Sequence, residues 1–327
     1  MLGFRSRPVA KTAPPVAPAA PQAGWLVREE AIMGTAIRVE LFCEDAARAR
    51  ATADAVIAEM HRIDAAMSPH KPDSELSVIN RDAGARAVPL SAEMTALLGR
   101  ALDFSAVSGG AFDISYAAVG QLFDYRQRIR PDDAQRDAAC ASIGWQHLQL
   151  DRAAGTLRFG LPGMRIDLGG FAKGHAVDNG IRILRQHGIA HGLVAAGGDS
   201  HVLGDRLGRP WSIAVRDPRR EHEVVAVLPL VDCALSTSGD YERFFDEGPV
   251  RHHHLIDPRT GRSPDGVRSV TILADDGLTS EAWSKTVFVL GVEAGLALVE
   301  RQRGIDAVVV DAQGRLHFSS GLRDARG

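Results

Sequence analysis

His191-Gly-Leu-Val-Ala-Ala196, Trp211-Ser-Ile-Ala-Val215, Val224-Val-Ala-Val-Leu-Pro-Leu230 and Ala234-Leu-Ser-Thr237 are four short apolar or alternating runs in succession, parted by turns rich in Gly, Pro and Asp. Each reads as a strand. Strands following strands argue against the strand–helix alternation of a doubly wound sheet. They point to an α+β fold of mixed, largely antiparallel sheets with packed helices. Upstream, Trp25 to Cys43 alternates with period two and is interrupted at Met33-Gly34-Thr35, which predicts two strands or one kinked strand. Residues 45–67 carry Ala49, Ala53, Val56, Met60, Ile63 and Met67 at spacings of three and four, an amphipathic helix that stops at Ser68-Pro69. A polar loop or short helical turn follows. A second helix is predicted over 91–107, with Ser91 as N-cap and Gly109-Gly110 as its end. Residues 131–141 suit a short helix, 148–159 a hairpin, Arg165 to Leu168 a strand and 172–187 a helix. The last third adds a strand at 267–273, helices at 280–290 and near 293–302, and strands at 305–310 and 315–319.

The chain has 327 residues, 45% of them hydrophobic and 24% charged, with 38 basic and 41 acidic side chains. That is a globular composition without the basic excess of a general nucleic-acid binder. Cys43, Cys140 and Cys233 lie too far apart in sequence for a zinc or iron–sulfur motif and read as small buried thiols. No run reaches the roughly 18 apolar residues of a membrane span. Eleven of residues 1–24 are Pro or Ala, an extended linker composition, so the catalytic domain is expected over 25–327. With no secretion-signal core or lipidation cysteine as written, the sequence reads as cytoplasmic.

Five segments are rich in residues that bind or react. Gly109-Gly-Ala-Phe-Asp113 puts an aromatic ring and a carboxylate just after a helix stop; a plain helix cap followed by a strand would look the same. Ile166-Asp-Leu-Gly-Gly-Phe-Ala-Lys-Gly174 joins a strand end, two glycines, a helix start and a lysine in its first turn. That arrangement suits phosphate oxygens, although it has neither Walker nor dinucleotide spacing and also fits a tight turn with an exposed lysine. Ala196-Gly-Gly-Asp199 and Ser236-Thr-Ser-Gly-Asp-Tyr241 follow strands and could be ordinary turns. In His252-His-His-Leu-Ile-Asp-Pro-Arg-Thr-Gly261, strand geometry would let at most His252 and His254 share a face, which excludes three-histidine ligation of one ion. A histidine here could serve as a general base. Glu281 and Lys285, four apart on a predicted helix, read most simply as a surface ion pair.

In order and spacing, these segments resemble the FAD:protein FMN transferase family of the ApbE type, over roughly residues 30–310. The resemblance rests on Met33-Gly-Thr, Ser68 to Ser77, Gly110 to Asp113, Ile166 to Gly174, Gly197 to Asp199, Ser236 to Tyr241, His254 to Gly261 and Thr279 to Gly291. It implies transfer of the FMN half of FAD onto a Thr or Ser hydroxyl of an acceptor redox protein, with release of AMP. By position, Met33, His70, Ala111, Phe112, Asp113, Asp167, Lys173 and His254 would contact FAD, with His254 as base and Asp240 and Lys173 in the catalytic group. His70 stands where an aromatic ring is common. The family's Mg²⁺ would lie among the Gly170 carbonyl, Glu281 and Ser284. Where the family usually has Asp and Thr, this chain has Glu281 and Lys285, and an ammonium cannot ligate a metal, so Lys285 is expected to replace or weaken Mg²⁺. The family is commonly exported or lipid-anchored. Two other readings use the same residues: an FAD pyrophosphatase giving FMN and AMP, and a non-catalytic FAD-binding carrier or assembly partner.

Overall fold

β1 (Trp25–Ile32) and β2 (Thr35–Phe42) form a hairpin whose two-residue turn, Met33 and Gly34, has φ of 55° and 70°. Positive φ at both turn residues matches the twist of the flanking strands, and holding a methionine there is unusual. The computed structural model describes residues 24–323 other than Glu221; the expected linker over 1–24 therefore falls outside it except for Gly24. After the hairpin come α1 (Ala46–Met67), α2 (Glu75–Asp82), β3 (Val88–Pro89), α3 (Ala92–Val107), α4 (Ala117–Gly120) and α5 (Asp133–Cys140). Next are β4 (Leu148–Asp151), β5 (Thr156–Phe159), α6 (Ala172–Gln186), β6 (Gly192–Ala196), β7 (Asp199–Leu203), β8 (Trp211–Arg216) and β9 (Val224–Leu230). The described chain closes with β10 (Cys233–Gly239), β11 (Phe244–Glu247), β12 (Val250–His253), β13 (Val267–Ala274), α7 (Gly277–Val299), β14 (Asp306–Asp311), β15 (Leu316–Phe318) and α8 (Ser320–Arg323).

Eight strands make one sheet in the order β1-β2-β6-β7-β10-β13-β14-β15, and every pairing in it is antiparallel. The α+β expectation holds. α1, α6 and α7 cover one face, and the β8–β9 hairpin covers part of the other. β6 shows why its sequence is continuously apolar: Val194 enters the helix-side core, while Leu193 packs with Trp211, Val215 and Leu228 on the opposite side. α7 is long and apolar enough to cross a membrane by length and composition, but it packs against β10 and β13 and breaks at Gly291 (φ 80°). That break separates the two helices expected from sequence.

Three readings differ from the structure. Asp199, read as the end of a possible turn, instead opens β7, a strand the sequence reading does not include; its side chains are buried and find partners far along the chain. Arg165 to Leu168 forms no strand among the described residues. Instead the Asn80 side chain accepts from Ile166 N (2.8 Å) and donates to Ile166 O (2.9 Å), doing locally what a neighbouring strand would do. The cysteines are unpaired, with Cys43 buried and Cys140 and Cys233 only partly so. Asn80→Ala would leave both backbone groups of the buried Ile166 unpaired at the entry to the glycine turn. It is expected to cost about 1–3 kcal/mol, read as a lower denaturant midpoint at unchanged slope.

Candidate active site

The N-termini of α6 and α7 meet at two glycines. A Cβ on Gly174 would lie 2.3 Å from the Gly277 carbonyl oxygen, and one on Gly277 would lie 2.7 Å from that of Gly174. Only residues without a side chain permit this approach. Each helix then supplies a carboxylate to the other's first turn. Asp178 on α6 accepts from Gly277 N (2.7 Å) and Leu278 N (3.0 Å), and Glu281 on α7 accepts from Gly174 N (2.7 Å). The positive ends of both helix dipoles favour negative charge here.

Four charges share this junction. Lys173 donates to Glu281 Oε1, to Asp199 Oδ2 (2.8 Å) and to the Gly169 carbonyl (3.2 Å). Lys285 donates to Glu281 Oε1 at 3.2 Å. Glu281 is wholly buried and Asp199 nearly so. Burial alone would raise the Asp199 carboxyl, but the Lys173 and Lys285 ammonium groups hold it below its ordinary value. Burial likewise opposes the charge on Lys173, yet Asp199 and Glu281 push that ammonium well above the usual range. For Lys285 desolvation wins and its pKa is lowered. A chain of hydroxyls continues inward: Ser236 donates to Asp199 Oδ1 (2.5 Å), Ser284 donates to the Glu281 carbonyl (2.8 Å), and Ser238 lies 2.8 Å from Ser284.

The rim is built from segments the sequence had singled out. Phe104, Phe112 and Phe171 form an aromatic cluster with centroids 5.3–6.1 Å apart, which locks the Gly110–Asp113 loop to the glycine turn. Asp167 accepts from Gly169 N (2.7 Å) and from the Tyr116 hydroxyl (3.3 Å). Its carboxylate therefore shapes the turn. His254 N donates to the Arg243 carbonyl (3.1 Å), and the Arg243 guanidinium reaches the Met33-Gly34 turn, 3.8 Å from where a Gly34 Cβ would be. Burial, followed by His253, Arg243, Lys285 and Lys173, lowers His254 to about 3. Its Nδ1 is buried without a hydrogen-bond partner among the described residues. Arg243 and Tyr116 were missed by the sequence reading; nothing in their local pattern marks them.

Other candidates sit differently. Ala111 and Phe112 are core residues. The Asp113 carboxylate accepts from Ser115 N, Ser115 Oγ and Trp145 N (2.7–2.9 Å), so it closes its own loop. His70 is on an exposed turn after α1. Asp240 is held by both guanidinium nitrogens of Arg219 (2.7 and 2.5 Å) and lines, with Arg251, His252, His253 and Arg268, a groove of about 600 Å³. β12 ends at His253, so the strand alternation that would let at most His252 and His254 share a face stops before His254; His252 packs on Phe245.

The divalent ion implied by the resemblance does not fit these donors. Glu281 Oε1 already accepts from both lysines and Oε2 from Gly174 N, while the Ser284 hydroxyl is engaged with Glu281 and Ser238. Among the described residues no group of three or more His, Cys, Asp or Glu is placed to hold a metal.

A glycine turn at a helix start, with two lysine ammonium groups behind it on an antiparallel α+β scaffold, has the free amides and positive charge that suit a phosphate oxygen. The chain belongs to the ApbE family, which it matches over residues 33–309. It is 33% identical over 316 residues to a FAD:protein FMN transferase of Treponema pallidum, covering 91% of this chain and 87% of the relative. A FAD:protein FMN transferase of Salmonella typhimurium is likewise 33% identical, over 311 residues, covering 92% and 87%. Among solved structures, the ApbE protein of Thermotoga maritima superposes with a TM-score of 0.85 at 30% identity, covering 91% of this chain and 98% of that one. The flavin transferase ApbE of Vibrio cholerae superposes at 0.83 with 26% identity, covering 93% and 99%.

Proposed function

We propose that this chain is an FAD:protein FMN transferase that moves the FMN moiety of FAD onto a Thr or Ser hydroxyl of an acceptor redox protein and releases AMP. The observation that carries the reading is the junction at the start of α6, where Lys173 and Lys285 meet Asp199 and Glu281 next to the glycine turn, in a chain of this family. The acceptor oxygen attacks the phosphorus on the FMN side. A new P–O bond forms, the bond to the bridging oxygen breaks, and AMP leaves with that electron pair. The α6 N-terminus and the positive field of Lys173 and Lys285 offset phosphate charge, and Arg243 stands at the rim to meet a further oxygen. His254 is the group available to take the hydroxyl proton. Met33, Ala111, Phe112 and Asp113 would shape the wall against which the flavin nucleotide lies.

The test is to incubate the protein with FAD and a panel of redox-protein acceptor domains, reading flavin fluorescence on the denatured acceptor together with AMP. Labelling with equimolar AMP is the expected result; AMP without labelling across the panel would favour hydrolysis by water.

The depressed pKa of His254 sets a pH dependence. A free histidine near 6.5 would protonate across pH 7 to 5, whereas His254 at about 3 stays neutral there, so kcat/KM should show no inflection near 6.5 that His254→Asn removes. Stability follows the same sign. Between about 6.5 and 3 the unfolded chain binds a proton that the folded chain does not, so His254 lowers stability by up to about 1.4 kcal/mol per pH unit as acid is added. His254→Asn should therefore unfold at lower pH than the parent in an acid titration followed by circular dichroism.

A further inference from the structure

Counting hydrogen-bond donors separates the two lysines of the junction. An ammonium has three N–H groups. Those of Lys173 have three acceptors in the protein: Glu281 Oε1, Asp199 Oδ2 and the Gly169 carbonyl. Lys173 is tied down and acts on a ligand only through its field. Among the described residues Lys285 has one acceptor, Glu281 Oε1, which leaves two N–H groups for an incoming oxygen. Its stem runs under the glycine turn, with Cε 3.3 Å from where a Cβ on Gly170 would be, so the ammonium is delivered to the place where a phosphate would meet that turn. The charges agree. Lys173 and Lys285 balance Asp199 and Glu281, and an added divalent ion would sit against two ammonium groups with the carboxylate oxygens already engaged.

We propose that Lys285 is the residue that grips the pyrophosphate, supplying from the protein the positive charge a divalent cation would otherwise bring, so that FMN transfer by this chain needs no Mg²⁺. This rests on the FMN-transfer reading. During the step, the Lys285 N–H groups hold a non-bridging oxygen as the bond to AMP breaks and negative charge grows on the departing phosphate. Lys173 is a positioning residue that keeps Glu281 and Asp199 aimed.

The experiment compares the parent, Lys285→Met, and the pair Glu281→Asp with Lys285→Thr, each with excess EDTA or with Mg²⁺, after thermal unfolding has shown them folded. Transfer is read as acceptor fluorescence, FAD affinity as flavin quenching, and metal binding as loss of the free Mn²⁺ paramagnetic resonance signal. The parent should change less than twofold between EDTA and Mg²⁺ and bind no Mn²⁺. Lys285→Met should lose about a hundredfold in rate in EDTA. The paired variant should transfer only with Mg²⁺ and take up one Mn²⁺. A parent that loses more than tenfold in EDTA and recovers with Mg²⁺, or that binds one Mn²⁺, overturns the proposal. If the parent labels no acceptor in either condition, the FMN-transfer reading fails on its own, and the Mn²⁺ titration with metal-free FAD affinity still decides the role of Lys285: no Mn²⁺ uptake and at least tenfold weaker FAD binding by Lys285→Met support it, and the reverse refutes it.

Discussion

Lys173→Met lowers the rate of FMN transfer by about 10²–10³-fold and destabilises the fold by about 3–5 kcal/mol, the largest combined effect expected of any single side chain here. The reason is the company Lys173 keeps. It joins Glu281, which is wholly buried, to Asp199, which is 2% exposed, and methionine would leave one ammonium, Lys285, to answer two interior carboxylates. Removing one member of such a group leaves charge in a low-dielectric interior without compensation. The pH dependence separates this from a simple packing loss. Because Asp199 is held below its ordinary value, its contribution is complete above the unfolded value of about 3.9 and is lost as pH falls through the folded one. The stability gap between parent and variant should therefore narrow below about pH 4. A gap that stays constant in urea unfolding from pH 7 to 3 would rule this account out.

Gly174→Ala is expected to cost about 3 kcal/mol or more and to abolish most activity, although alanine is the better helix former. The added Cβ would sit 2.3 Å from the Gly277 oxygen, 2.6 Å from the Gly277 carbonyl carbon and 2.9 Å from Leu278 N. All three are backbone atoms, so relief comes only by parting α6 from α7, which also breaks the Gly174 N–Glu281 bond and the Asp178 caps on Gly277 and Leu278. Gly84→Ala is the control: open space surrounds its Cβ position, and it should change stability little. Chemical unfolding of both variants checks the contrast; equal midpoints would mean that the two helix ends are not in contact.

What could be read in the sequence was whatever is set by local periodicity. β2, α1, α3 and the two halves of α7 bury one face with regular spacing, and their ends carry caps such as Ser91 and the break at Gly291. β7 could not be read this way. Its Asp199, Ser200 and His201 look like a turn until Lys173, Ser236 and Asp178 are brought to Asp199 and His201 from 23 to 37 residues away. A Gly-Gly pair between β6 and β7 was the available hairpin signal. The glycine turn, Lys173, Glu281, Ser284 and Lys285 were singled out and do come together; Asp240 was singled out by neighbourhood in the chain, but its carboxylate is held by Arg219, a partner 21 residues upstream that no short motif reveals.

The open ends of the eight-stranded sheet bear on how this molecule meets others. At one end β15 is only three residues long; at the other, β1 is eight residues long but carries Arg28 and Glu29 outward, with Arg28 tied to Asp54 and Arg38 to Glu29. A short strand offers too few free amides to template another chain, and charged residues make an intruding strand lose their hydration. Among the described residues, both edges of the sheet therefore carry features that disfavour pairing with a ninth strand, so edge-to-edge polymerisation is disfavoured.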